Sequence, residues 1–234
     1  TGLAWARRLR DEQPALPICL FGLYATVGHD GADNPVDHRI AGEFDTQLAA
    51  WVDAVAAGPG PCLGPTPIVD TNRHRTPVPV RSGLPPLERY ARLATGGVEV
   101  LAASVDASRG CSHRCRHCPV PVIYDGRVRL VDEATVLADI EQVVEAGARH
   151  VTFGDPDFLN APWHALRIAR ALHARWPDVT FDCTTKVEHI LRHHEVWPEL
   201  AEAGCLFVVS AFESTNDDTL AILDRVSPLS LKIT

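Results

Sequence analysis

Residues 99–118 read EVLAASVDASRGCSHRCRHC. The opening, Glu99 to Val105, reads as a β-strand. The chain then presents Cys111, Cys115 and Cys118 in a C-x3-C-x2-C spacing. Cysteine thiolates are the usual ligands of iron–sulfur clusters. Three ligands on a four-iron cube leave one iron without a protein ligand, and an open coordination position suits the binding of a further molecule. Structural zinc, with His113 or His117 as fourth ligand, is a competing use. It usually draws on two short ligand pairs, and no second cysteine pair is present. A ferredoxin-type carrier needs a fourth cysteine. Cys19, Cys62, Cys183 and Cys205 are scattered, and Cys183 and Cys205 fall inside predicted strands, where a thiol serves as a small core residue.

Downstream, strands and helices alternate. Asp132 is placed to cap a helix whose apolar positions, Val136, Leu137, Ile140, Val143 and Val144, share one face, and Gly147 ends it. His150 to Phe153 is the next strand. Asn160 is placed to cap a helix with Pro162 in its first turn and Ala165, Ile168, Ala169 and Leu172 on its buried face. Val179 to Thr184 is a third strand, followed by a helix through Leu200 that Gly204 ends. Cys205 to Ser210 is a fourth strand, and Asn216 caps a last helix through Leu223. Four successive strand–helix units imply a parallel sheet curled toward a barrel. In such a sheet active sites gather at the C-terminal strand ends, where the cysteine loop lies. His164, His173, His193 and His194 fall on the helices and are expected to be exposed.

Upstream, eight prolines lie between Pro59 and Pro86, so this stretch is neither helix nor central strand. It reads as an extended linker, 58–90, between an N-terminal part, 1–57, and the barrel part, 91–234. In the N-terminal part Leu3 to Arg10 reads as helix, Ile18 to Ala25 as a short buried strand, Gly42-Glu43-Phe44-Asp45 as a turn and Thr46 to Ala56 as helix. That is a piece of an open, Rossmann-like α/β sheet. The fold class is therefore α/β: a partial (βα) barrel preceded by a truncated open α/β piece.

The chain has 234 residues, 46% hydrophobic and 22% charged, with a formal net charge of −8. That composition rules out a disordered chain, and the acidic balance argues against nucleic acid as a bulk electrostatic partner. No apolar run approaches the roughly 20 residues of a membrane span. Seven cysteines, an odd number in a chain too long to need disulfide staples, point to a reducing, cytoplasmic setting.

The cysteine spacing after a strand resembles the radical S-adenosylmethionine (radical SAM) enzymes. ASRGCSHRCRHCPVPVIYDGRVRL (107–130), HVTFGDPDFLNAP (150–162), TTKVEHIL (184–191) and GCLFVVSAFES (204–214) are similar to the CUAEP/CCAEP-tail members of that family. Those belong to the set with an N-terminal cobalamin-binding-like domain, and Gly42-Glu43-Phe44-Asp45 resembles a turn near that domain's end. The resemblance implies a 4Fe-4S cluster on Cys111, Cys115 and Cys118, with S-adenosylmethionine at the open iron. The reduced cluster would cleave the sulfonium to methionine and a 5′-deoxyadenosyl radical, which takes hydrogen from an unidentified substrate. An electron donor such as flavodoxin or ferredoxin is implied, and cobalamin is a candidate third cofactor. His117 departs from the family, many of whose members carry an aromatic residue before the third cysteine.

The strand ends supply the expected cofactor contacts. Gly154 permits close approach, and Asp155 or Asp157 offers an anion to the ligand's amino group. Lys186 can pair with the methionine carboxylate. Ser210 and Glu213 close the fourth strand, and Glu213 matches the position that binds ribose hydroxyls in the family. A plain Asp-Pro loop, a surface lysine and a helix-terminal charge are the blander readings of Asp155, Lys186 and Glu213. A non-catalytic iron–sulfur or zinc module is the alternative for the whole chain, but it has no need of acids at the strand ends.

The sequence reads as an excerpt of a longer protein, with four barrel units and an open sheet edge, which is an aggregation hazard. Expressed alone, residues 1–234 are expected to be poorly soluble or partly molten. A sharp cooperative melt of this span as a monomer would contradict that expectation.

Overall fold

In the fifth position of a short buried strand, Gly42 lets two stretches of backbone meet. Its φ is +81°, and a Cβ there would stand 1.9 Å from the Asp70 carbonyl oxygen. That carbonyl accepts a hydrogen bond from Glu43 N at 2.7 Å. Around this point the first of two compact units is built, Thr1–His74 with Val122–Tyr124; the second comprises Arg75–Pro121 and Asp125–Thr234. The computed structural model describes residues 2–26, 34–58, 68–90 and 92–223. Cys62 and the prolines from Pro59 to Pro67 lie outside the described residues.

The first unit runs α1 (Gly2–Glu12), β1 (Cys19–Phe21), β2 (His38–Gly42), α2 (Asp45–Ala56) and β3 (Ile68–Asp70). The strands form a parallel sheet in the order β1-β2-β3. β1 is shorter than the run Ile18–Ala25, because the chain turns at Gly22 with φ +98°. β2, HRIAG, is absent from the sequence reading because His38 and Arg39 mask it, yet all five of its residues are buried. β3 lies within the stretch 58–90 and takes an edge of the sheet, the position proline-rich flanks permit. Ala6, Ile18 and Val36 form the small core against α1. Tyr124 Oη donates to the buried Glu43 at 3.0 Å.

The second unit opens with a hairpin, β4 (Arg92–Thr95) and β5 (Val98–Val105), turned by Gly96 and Gly97, both at positive φ. The cysteine segment follows, flanked by a ribbon of β6 (Ser108–Gly110) with β7 (Val128–Leu130) and interrupted by α3 (Val120–Tyr124). Then come α4 (Glu133–Glu145), β8 (His150–Phe153), α5 (Pro162–Arg175), β9 (Thr180–Thr184), α6 (Val187–Arg192), α7 (Trp197–Glu202), β10 (Cys205–Val209) and α8 (Asp217–Ile222). The sheet order is β10-β9-β8-β5-β4, with the first four parallel. This curled half-barrel matches the expected α/β class and its four strand–helix units.

Alternation along the strands sorts the two faces. Val105, Val151, Phe153, Phe181 and Cys183 join Ile140, Ile168, Ala169 and Leu172 of α4 and α5 in one buried core. Phe153 stacks on Phe158 at 4.5 Å and meets Phe181 edge-on at 5.5 Å. The opposite face is polar and satisfied. His150 reaches Thr180 Oγ1 at 2.7 Å and Asp182 Oδ1 at 2.8 Å, and Thr152 donates to Asp182 at 2.6 Å. The second half of the proline-rich stretch is pinned to α4 by Arg81, whose two guanidinium nitrogens meet Asp139 at 2.6 and 2.7 Å.

Several local expectations need correction. Asp132 stands at the start of α4, but its side chain makes no capping bond; its carbonyl accepts from Thr135 and Val136. Ala161, not Asn160, precedes α5, and Asn160 is committed elsewhere. The helix expected through Leu200 is broken into α6, a 3-10 turn and α7, because Pro198 lacks an N–H and suits only a first turn. His164 is buried, with Nε2 3.3 Å from the Ala107 carbonyl. Asn216 caps α8 as expected, accepting from Thr219 N at 2.9 Å.

Gly42→Ala should destabilise the first unit by about 2 kcal/mol or more, since the new methyl meets backbone and the φ is strained. Limited proteolysis would read this as faster cleavage between residues 34 and 70. Unchanged protection would show that the close contact carries no such cost.

Candidate active site

The cysteine loop is held from beneath by β8. Asp155, at the end of that strand, is 3% exposed. Its Oδ2 accepts from Ala107 N at 2.9 Å and its Oδ1 from the Ser108 hydroxyl. Burial pushes its carboxyl up to about 7 despite those two donors. Both oxygens are thus engaged under the loop, which Asp155 braces. Gly154 is exposed beside it, and a Cβ there would stand 2.4 Å from Asp106 Oδ1 and 3.1 Å from Ser104 Oγ. The glycine makes room for the Asp106 carboxylate at the end of β5.

Cys111 and Cys115 are buried and Cys118 is half-buried; all three are free thiols. Asn160 Oδ1 accepts from Ser112 N at 3.1 Å and Ser112 Oγ at 2.7 Å, with Cys111 Sγ 3.8 Å away. Burial raises the Cys111 pKa, while the His113 amide and Asn160 oppose the shift. A thiol in that state loses its proton when a metal takes its place. Arg116 N donates to Leu223 O at 3.2 Å, tying the loop to the end of α8.

Asp157 is the second hub and is 1% exposed. Its Oδ1 accepts from Thr185 Oγ1 at 2.6 Å and Leu159 N at 3.1 Å. Its Oδ2 stands 2.9 Å from His189 Nδ1 and 3.9 Å from His113 Nε2. Burial alone would raise its pKa, but His189, Thr185 and the Lys186 amide outweigh that and hold it below the usual carboxylate value. His113 and His189 bring their Nε2 atoms to 3.2 Å, and Lys186 Nζ lies 3.1 Å from His113 Nδ1. Burial, then the positive charge of Lys186, lowers His113 to about 4, so its imidazole is neutral near pH 7.

At the end of β10, Ser210 Oγ is buried with no hydrogen-bond partner. Asn160 Nδ2, beside the cysteines, is also buried and unpartnered. Glu213 adopts a left-handed φ of +61°, a costly conformation for a residue with a side chain, and its Oε1 lies 3.2 Å from His117 Nε2. His113 and His117, the fourth ligands that a zinc reading would use, are therefore turned to other partners. The donor set fits an iron–sulfur cluster: three free thiols on one loop. The two orphaned polar atoms fit a polar ligand beside it.

A cavity of about 530 Å³ is apolar and lined by Arg81, Leu87, Tyr90, Ala103 and Val143 among others. None of its lining residues belongs to the cysteine loop. Asp106 lies outside the expected set of site residues, although a carboxylate directly after a barrel strand is a readable signal. Asn160 anchors the cysteine loop through Ser112, although its sequence context imitates a helix cap.

The family model of the radical SAM superfamily matches residues 85–230, more than half the chain. The chain belongs to the radical SAM superfamily. The family's enzymes work with a 4Fe-4S cluster and S-adenosylmethionine. Two solved structures of the radical SAM methyltransferase TsrM from Kitasatospora setae are similar in fold. One, with tryptophan and a SAM analogue bound, has a TM-score of 0.68 at 20% identity, over 93% of this chain and 45% of that one. The other, with cobalamin and a [4Fe-4S] cluster bound, has a TM-score of 0.70 at 18% identity, over 93% and 46%. The cobalamin-dependent radical SAM enzyme OxsB has a TM-score of 0.63 at 15% identity, over 98% and 40%. The chain thus spans less than half the length of these relatives. Among curated proteins none matches in sequence. No helix among the described residues is long and apolar enough to cross a membrane.

Asp155 gives a pH test. Its pKa is about 7 folded and about 3.9 unfolded, so the folded state binds the extra proton. Its contribution is fully present below about pH 4 and lost as pH rises through about 7. Denaturant unfolding across that window should show the wild type losing stability relative to Asp155→Asn. Parallel curves would show that the carboxyl does not titrate as described.

Proposed function

We propose that this chain forms the cofactor-binding core of an enzyme that cleaves S-adenosylmethionine reductively and uses the 5′-deoxyadenosyl radical on a substrate. The observation that carries this is the triad of free thiols on one loop, with the unpartnered Ser210 Oγ at a neighbouring strand end. A bound cluster on Cys111, Cys115 and Cys118 supplies the electron for cleavage. The chain's own residues hold and orient the ligand. Gly154 leaves its backbone open to close approach, and the Ser210 hydroxyl and Glu213 carboxylate accept from ligand hydroxyl or ammonium groups. Lys186 offers an ammonium to the methionine carboxylate. Asp155 and Asp157 support these contacts from below by fixing the cysteine loop and the Thr185-Lys186 turn. The buried core behind the strand ends excludes water from one side.

The finer assignments belong to the same proposal. The motif strings favour the CUAEP/CCAEP-tail subgroup. Residues 1–57, to which β3 adds a strand, are the C-terminal part of a cobalamin-binding-like domain, 58–90 form the connecting segment and 91–234 the partial barrel. Cobalamin is a cofactor of the full-length protein in this reading, as in the cobalamin-bound TsrM structure. A cytoplasmic setting and a flavodoxin or ferredoxin as electron donor complete it.

Anaerobic reconstitution of the full-length protein tests the reading. Wild type should take up a 4Fe-4S cluster whose EPR spectrum changes on adding S-adenosylmethionine, and should release 5′-deoxyadenosine with a reductant. Changing all three cysteines to Ala should abolish iron and sulfide uptake. Ser210→Ala and Glu213→Ala should keep the cluster. Each loses a hydrogen bond worth roughly 1.5–3 kcal/mol, so binding should weaken by about one to two decades. Full iron content in the triple variant would sink the assignment, as would zinc in place of iron in the wild type.

A further inference from the structure

Behind the cysteine loop, donors of the metal-binding kind converge from three separate segments. His113 comes from the loop, Asp157 from the turn after β8 and His189 from α6. One donor atom of each lies within 4.8 Å of the others. The His113 and His189 Nε2 atoms are 3.2 Å apart, Asp157 Oδ2 is 3.9 Å from His113 Nε2, and His189 Nδ1 is 2.9 Å from the same oxygen. Tetrahedral donors about 2.1 Å from an ion stand roughly 3.4 Å apart, and the spacings of Asp157 Oδ2 from His189 Nδ1, 2.9 Å, and from His113 Nε2, 3.9 Å, bracket that value.

A hydrogen-bonded cluster accounts for only part of this. One N–H shared between the imidazoles satisfies both Nε2 atoms. His189 Nδ1 then remains, in a residue only 4% exposed, with no hydrogen bond. The Asp157 carboxylate oxygen lies 2.9 Å from it. A buried nitrogen left so costs about 1–3 kcal/mol, and a cation between it and the carboxylate removes that cost.

We propose that His113, Asp157 and His189 bind one divalent first-row transition ion, apart from the cluster held by the cysteines. Two imidazoles and one carboxylate are a donor set for ions of the iron, cobalt and zinc type, and they leave coordination positions open. The ion clamps the cysteine loop to the turn after β8 and to α6. Ligation through His113 Nε2 puts the ring proton on Nδ1, which no longer accepts from Lys186. The ammonium turns to Glu188 Oε2, already 3.5 Å away.

The test uses the full-length protein with its cluster reconstituted. Cobalt(II) is added, excess is removed, and cobalt, iron and sulfide are counted on the same sample. About one cobalt per chain is expected beyond an unchanged cluster, with only nitrogen and oxygen neighbours in its X-ray absorption spectrum. His189→Gln and His113→Phe should weaken cobalt binding at least tenfold while sulfide content stays at the wild-type level. Lys186→Met should bind cobalt at least as tightly as the wild type. No retained cobalt, cobalt with sulfur neighbours, or undiminished binding in both histidine variants would overturn the site. Weaker binding in Lys186→Met would show that the ammonium, not an ion, organises the group. The site stands apart from S-adenosylmethionine cleavage: a sample lacking sulfide but holding cobalt would count against that function alone.

Discussion

Asp155 sits where the sheet ends and the cysteine loop begins, and its carboxylate takes the first amide and first hydroxyl of that loop. A backbone leaving a strand without a partner carries unsatisfied donors, and burial makes each one costly. One side chain from the neighbouring strand removes two such costs at once. It also sets where Gly110, at φ +76°, can swing the chain toward Cys111. The rest of the site inherits this fixed starting point. Asn160 grips Ser112, four residues beyond Ser108, and Asp157 meets His113 through His189. The turn after β8, Gly154 to Asn160, therefore positions a loop that is distant from it in sequence.

The sheet makes that arrangement durable by separating its faces. Phe153 and Phe181 lock β8 and β9 onto the helices. On the other face His150, Thr152, Thr180 and Asp182 satisfy one another. Parallel strands covered on both sides usually read as unbroken apolar runs. HVTF and TFDCT do not, because one face of each is spent on a closed polar network. Such a network, fully satisfied, fixes register more tightly than interchangeable aliphatic contacts would.

That sorting explains what was legible in the sequence. The helices α4 and α5 were readable because Ile140, Ile168 and Leu172 repeat with helical period, and the four main strands because apolar residues and glycines bound them. The cysteine spacing was readable because its chemistry needs no context. β2 was not, because a strand buried by its neighbours tolerates His38 and Arg39 when their polar atoms find partners inside the fold. Asn160 misled for a related reason. Asparagine before a proline-led helix imitates a cap, and only the distant Ser112 reveals its use. Asp155 and Glu213 look alike as acids after strands, and burial alone separates the bracing carboxylate from the exposed one.

Charge at the strand ends follows from this division. Asp155 and Asp157 are committed inside the protein, one to the loop root and the other to Thr185 and His189. Asp106 faces the gap that Gly154 leaves, and Glu213 stands beside His117 in a strained backbone conformation. Strain of about 1–3 kcal/mol persists only where surrounding structure or a ligand compensates for it. For Glu213 that compensation comes most readily from a polar or cationic partner, since a carboxylate gains more from charged donors than from neutral ones. The same mouth holds three thiols that gain when a cation displaces their protons. An environment of outward carboxylates and buried thiols disfavours anionic ligands and favours cations, so the electrostatics of the strand ends and the ligand chemistry of the cysteine loop select in the same direction.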